Sequence, residues 1–239
     1  MASVKQIIFV LGISIVLLVL IGWWVDRNNQ QPEILLDSKE ELDGPLTPEA
    51  LKTNNPEITN TMNRIAVIKT NKGEIDIELF EDQMPVTTGN FIKLAQEKFY
   101  DGVKFHRVID GFMIQAGDPN TKTPNVTTYG QGDPGYTIKD EFVEGPLLSN
   151  TRGTIAMANT GQPNSGGSQF FINTVDNVGL DFGDDAQPQS NHPVFGRVIK
   201  GMDVVDQISK VQVTPGNNLP VEPVVMESVT ITEPQKTGE

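Results

Sequence analysis

From Ile7 to Val25 the chain reads IIFVLGISIVLLVLIGWWV, without a single charge. As a helix rising about 1.5 Å per residue, this run spans about 28 Å, close to the hydrocarbon thickness of a bilayer. Trp23 and Trp24 sit at its end, where indole rings favour the membrane interface. A cleaved secretory signal would normally have a shorter apolar run followed by a small-x-small site, and Trp23, Trp24 and Val25 occupy that exit instead. The expectation is an uncleaved membrane anchor over residues 1–25. Lys5 and the amino terminus precede the span and Asp26 and Arg27 follow it, which favours a cytoplasmic N-terminus and an extracytoplasmic remainder, on a bias of about one charge.

Residues 26–62 are rich in Asp, Glu, Asn, Gln and Pro and carry no sustained apolar period. Such a segment reads as an acidic, proline-punctuated linker, with room for a short helix from Pro48 to Lys52 capped by Thr47. The formal net charge of −13 and the absence of any Lys/Arg cluster argue against nucleic acid as a partner. With no cysteine in the sequence, disulfides, thiolate catalysis and cysteine-ligated zinc are excluded.

Residues 63–234 change character again, leaving 235–239 as a short tail. Arg64 to Thr70 and Gly73 to Phe80 predict a hairpin turning at Asn71-Lys72-Gly73, with Ile75, Ile77 and Leu79 alternating against Glu74, Asp76 and Glu78. Pro85 to Phe99 has helical spacing and opens on a proline. Short apolar runs follow over Val103 to Ile109, Phe112 to Ala116, Gly153 to Ala158, Gln169 to Thr174 and Val194 to Val198. A second helix is predicted over Met202 to Val211 and a last strand over Val224 to Thr232. Many short strands separated by turn residues predict an all-β domain with two helices, a sandwich or a barrel.

Three stretches of this region carry more than secondary structure. They are FHRVIDGFMIQAGD from Phe105, MANTGQPNSGGSQFFI from Met157, and Leu180-Asp181 followed by HPVFGRVIKGMDVVDQI from His192. In order and spacing they resemble the signatures of the cyclophilin-type peptidyl-prolyl cis-trans isomerases, over residues 64–232. PGYTIKDEF, Pro134 to Phe142, resembles the bacterial branch of that family. The resemblance implies a closed eight-stranded antiparallel β-barrel capped by two helices, binding X-Pro polypeptides on its outer face, with no cofactor and no metal. It also implies a monomeric catalytic domain.

Rotation about an X-Pro bond is slow because the amide C–N bond has partial double-bond character, with a barrier of about 20 kcal/mol. Lowering it requires a grip on the proline ring, hydrogen bonds to the chain, and a donor facing the prolyl nitrogen as the bond twists. By resemblance Arg107 is that donor, and its guanidinium stays charged at any ordinary pH. Phe112, Met113, Phe171, Leu180 and His192 would line the proline pocket. Gln115 and the backbone of Asn159 would hold the peptide, with Ala158, Thr160 and Gln169 nearby. Strand alternation predicts that Arg107 shares a face with Phe105, Met113 with Gln115, and Gln169 with Phe171. His106 reads as structural. His192 reads as a pocket wall rather than an acid or base, which predicts a shallow pH dependence.

The sequence departs from the family in places. Gly179 stands where a tryptophan often precedes the leucine matched by Leu180, which implies weak cyclosporin binding. An extra residue sits within Gly161 to Gly167, and the loop from Asp181 to Asn191 is long. The glycine-rich GQGDPG from Gly130 and NSGG from Asn164 lack the Lys-Ser/Thr of a phosphate loop and read as turns. Asp181, Asp184 and Asp185 lack calcium-loop spacing. A binding module that holds a proline segment of one membrane partner is the rival reading, and an assembly factor whose acidic linker makes the important contacts is a third. The arginine favours an enzyme, because binding alone has less need of it.

Overall fold

The computed structural model describes residues 63–145, 147–183 and 191–233. The expected anchor at 7–25, the linker at 26–62, most of the 181–191 loop and the tail lie outside the described residues. Among the described residues, no helix is long and apolar enough to cross a membrane.

Eight strands form one sheet: β1 (Ile65–Thr70), β2 (Gly73–Leu79), β3 (Arg107–Ile109), β4 (Met113–Ala116), β5 (Thr154–Met157), β6 (Phe170–Asn173), β7 (Val194–Lys200) and β8 (Met226–Thr232). Their order is β3-β4-β6-β5-β7-β2-β1-β8, and every pairing is antiparallel. The β1–β2 hairpin turns as its alternation predicts, with Thr70 opposite Gly73. The Thr70 hydroxyl donates to the Gly73 carbonyl at 2.7 Å and accepts from the Lys72 amide at 3.0 Å. Ile75, Ile77 and Leu79 are fully buried.

The closed barrel is corrected to a curled sheet whose ladder stays open between β3 and β8. Closure there is reduced to one bridge, Lys104 to Val225, and bonds such as Phe105 N–H to the Val224 carbonyl at 2.9 Å. The cause lies in the sequence before β8: Pro220 and Pro223 have no N–H to give to a ladder. The strand expected from Val103 begins only at Arg107, where the chain pairs with Gln115 of β4.

Helix α1 (Pro85–Gln96) packs against β7 and β8, and α2 (Met202–Ser209) against β2, β3 and β4. Pro85 opens α1 with its ring already at helical φ, and Met84 offers no side-chain cap. The cap comes from across the chain, where Glu141 accepts from the Val86 and Thr87 amides at 2.9 and 2.8 Å. The helix ends at Gln96, and Lys98 just beyond its C-cap turns the chain away with a φ of 58°. Phe91 of α1 meets Tyr100, Phe170 and Phe195 with ring centroids 5.1 to 5.5 Å apart, forming the aromatic centre of the core.

Candidate active site

The register of the sheet assembles the site. Arg107 on β3 lies opposite Gln115 on β4, and Gln115 lies opposite Phe171 on β6. Cross-strand partners share a face, so these side chains form one row, with Met113 two residues along from Gln115. The neighbouring row, Val108, Ile114 and Ile172, points the other way and is buried in the core with Phe170. Phe105 precedes β3 and is buried at 1% exposure.

Loops complete the enclosure. Phe112 stands in the β3–β4 turn, its amide bonded to the Ile109 carbonyl at 3.1 Å. Leu180 ends a 3-10 turn (Val178–Leu180), and His192 precedes β7. Arg107, Phe112, Met113, Gln115, Ala158, Asn159, Phe171, Leu180 and His192 line one cavity of about 300 Å³. Met113 and Phe171 are its buried apolar floor. The His192 ring meets Phe171 edge-on at 5.3 Å between centroids.

Thr160 and Gln169 line a second cavity of about 450 Å³ that shares Gln115, Ala158 and Asn159 with the first. All the residues singled out in the sequence therefore fall on one continuous groove. The rest of the second wall, from Gly130 to Asp133, was legible in sequence only as a turn. Asp118 holds it from beneath, accepting from the Gly130 amide. Gly132 is required there, since a Cβ would lie 2.1 Å from Asp118 Oδ1. Gln169 Nε2 donates to the Gly130 and Gly132 carbonyls at 3.1 and 2.9 Å, so this side chain braces the wall.

Arg107 is the charged residue lining the first cavity, and Asp133 lines the second. The Arg107 guanidinium donates to Gln115 Oε1 at 3.3 Å and lies 6.0 Å from the centre of the Phe112 ring. No carboxylate among the described residues forms an ion pair with it. Partial burial pushes its pKa below the usual arginine range. Gln115 in turn donates to Gln169 Oε1 at 3.0 Å, which fixes its amide. Burial also pushes the His192 pKa down, against the weaker opposing pull of the Met157 carbonyl 3.1 Å from Nδ1. A neutral imidazole is the result near pH 7. His106 is buried behind Gly130, and its pKa is lowered by burial despite Asp118. The Asn159 side chain donates to the Asn191 carbonyl at 2.6 Å. Asp181, weighed above as a calcium ligand, has its carboxylate engaged by the Ser149 hydroxyl and the Asn150 amide, both at 2.6 Å.

An apolar cavity with a fixed cation at its rim, and amides beside it to align a chain, suits a non-covalent catalyst acting on a polypeptide. The comparisons with known proteins make that class specific. Residues 65–231 match the family model described as "Cyclophilin type peptidyl-prolyl cis-trans isomerase/CLD". A peptidyl-prolyl cis-trans isomerase of Acinetobacter baylyi is 42% identical over 172 residues, 71% of this chain and 86% of that protein. Peptidyl-prolyl cis-trans isomerase B of Escherichia coli is 43% identical over 167 residues, 69% and 97% of the two chains. A crystal structure of a Cryptosporidium parvum cyclophilin-type isomerase, in the presence of the dipeptide Ala-Pro, superposes with a TM-score of 0.60 at 28% identity, covering 71% of this chain and 99% of that one. The chain belongs to the cyclophilin-type peptidyl-prolyl cis-trans isomerase family. It is an enzyme that catalyses rotation about X-Pro peptide bonds.

Proposed function

We propose that the 300 Å³ cavity seats the substrate proline and that Arg107 is the catalytic residue. Phe112, Met113, Phe171, Leu180 and His192 grip the ring, while Gln115 and the Asn159 backbone hold the flanking chain. As the C–N bond twists, the prolyl nitrogen regains its lone pair, and a guanidinium N–H donates to it. That hydrogen bond is strong only in the twisted state, so it lowers the barrier rather than tightening the ground state. No bond breaks and no proton is transferred. The observation that carries this reading is the Arg107 guanidinium, partly buried and without a carboxylate partner among the described residues, in one cross-strand row with Gln115 and Phe171. The second cavity, along Ala158, Thr160 and Gln169, takes residues that precede the proline.

The test is cis-to-trans turnover of an X-Pro peptide by the full chain and by its Arg107→Ala variant. Loss of at least about tenfold, or about 1.4 kcal/mol of barrier, is expected. Unchanged turnover would remove Arg107 from the mechanism.

The uncharged run from Ile7 to Val25 supports the further reading that this isomerase is a single-pass membrane protein. Its catalytic domain then acts, as a monomer, on proteins outside the cytoplasm. PGYTIKDEF supports its placement in the bacterial-like branch.

A further inference from the structure

The apolar walls of the proline cavity are held in two different ways. Met113 and Phe171 stand on β4 and β6 and are fixed by ladder hydrogen bonds. Phe112, Leu180 and His192 stand on irregular chain, tied by single backbone bonds, from the His192 amide to the Leu180 carbonyl and from the Thr174 amide to the Phe112 carbonyl, both at 3.0 Å. A network of three asparagines connects all three.

Asn177 Nδ2 donates to the Phe112 carbonyl at 2.9 Å and to Asn173 Oδ1 at 2.7 Å. Its backbone N–H donates to the Asn150 carbonyl at 2.7 Å, and its own carbonyl accepts from the Leu180 amide at 2.9 Å. Asn173 Nδ2 donates to Asn150 Oδ1 at 3.1 Å and to the Thr154 hydroxyl at 2.9 Å. Asn150 Nδ2 donates to the His192 carbonyl at 3.0 Å and to Asp181 Oδ1 at 3.1 Å. Each of the three amides therefore engages both of its N–H donors. Asn150 and Asn173 are fully buried, where an unmet amide is costly and a met one is rigid. Asn177 precedes the 3-10 turn as its N-cap, yet its side chain makes no local cap and reaches across to Phe112 instead.

We propose that Asn177 is a positioning residue for the isomerase reaction, and that the Asn150–Asn173–Asn177 network sets the separation of Phe112, Leu180 and His192 across the proline cavity. The chemistry singles out asparagine. Aspartate in its ionised form has no side-chain donor, and alanine leaves the Asn173 oxygen without its bond. A seat fixed in this way is complementary to the ring of the twisted state, so loosening it costs turnover more than ground-state binding. The inference rests on the proposal that this cavity seats the proline.

The experiment measures kcat and KM for an X-Pro peptide, together with the melting temperature, in the full chain. The variants are Asn177→Ala, Asn177→Ser, Arg107→Ala and, as a control, Asn71→Ala. Asn71 also makes two side-chain hydrogen bonds, at 3.0 Å to the Pro223 carbonyl and from the Val225 amide, but in the β1–β2 turn. The expected result is a loss of at least about fivefold in kcat/KM for Asn177→Ala, mostly in kcat. Asn71→Ala should lower the melting temperature and leave kcat/KM unchanged. If Asn177→Ala does not fold, Asn177→Ser is judged on the same criteria. Asn177 variants within about twofold of the parent, beside a slow Arg107→Ala, overturn this inference alone. An equal loss in Asn71→Ala also overturns it, because general loosening would then account for the effect. A fully active Arg107→Ala would overturn the proline-site reading and this inference with it.

Discussion

At the scale of the residue, Arg107 and His192 show how little titration this chemistry needs. A lysine has neither the planar fork nor the reach of a guanidinium. Arg107→Lys should therefore lose most of the turnover that Arg107→Ala loses, about tenfold or more in kcat/KM. With the guanidinium charged throughout and His192 held neutral by burial, the pH–rate profile should be flat from about pH 7 to 9. Stability behaves differently. Burial pushes both His106 and His192 below the usual imidazole range. The unfolded chain then takes up protons first as pH falls, so stability rises with pH across that window. The contribution of both histidines is complete above about pH 6.5 and is lost as pH falls through their lower folded-state values. A melting temperature that holds steady above about pH 7 and drops below about pH 6.5 is expected, with His192→Gln removing part of the drop. Gly179 belongs to this scale too. It lies within the 3-10 turn beside Leu180, and Gly179→Trp should tighten cyclosporin inhibition by about tenfold, or about 1.4 kcal/mol.

At the scale of the element, the most informative case is α1. Its start is written in the sequence, because Pro85 suits only the first turn of a helix. Its cap is not, because Glu141 is distant in sequence and reaches the Val86 and Thr87 amides only after folding. Glu141→Ala leaves those amides to water and removes a negative charge from the helix N-terminus. A loss of about 1 kcal/mol in urea unfolding is expected. The same segment includes Tyr136, whose hydroxyl donates to Asn90 Oδ1 at 2.8 Å and whose ring lies 4.8 Å from the Lys93 ammonium. PGYTIKDEF thus fastens the loop behind the second cavity onto α1. Glu141→Ala should accordingly weaken peptides with large residues before the proline more than it weakens short X-Pro peptides, which a comparison of KM values would show.

At the scale of the whole molecule, the isomerase domain and the uncharged N-terminal run make separable predictions. The full chain should remain in the membrane fraction after an alkaline wash, and deletion of residues 7–25 should release it. Turnover of a soluble X-Pro peptide should be the same in both forms, because the groove is built entirely from residues 107–192. Recovery of the full chain in the soluble fraction would sink the anchor.

The sequence by itself determined what depends on neighbouring residues. The β1–β2 hairpin follows from period-two alternation and a turn at Asn71-Lys72-Gly73, and α1 from a proline followed by helical spacing. The motif stretches around Arg107, Met157 and His192 contain most of the residues that line the groove. What only the tertiary structure decided depends on partners far apart in the chain. The register that aligns Arg107, Gln115 and Phe171 is a property of three strands together. The open seam between β3 and β8 arises where prolines without an N–H meet a strand that begins late. The asparagines at 150, 173 and 177 look like ordinary loop and strand-end residues in sequence. Folding buries two of them and brings all three into mutual hydrogen bonding, because an amide without water must find its partners inside the protein.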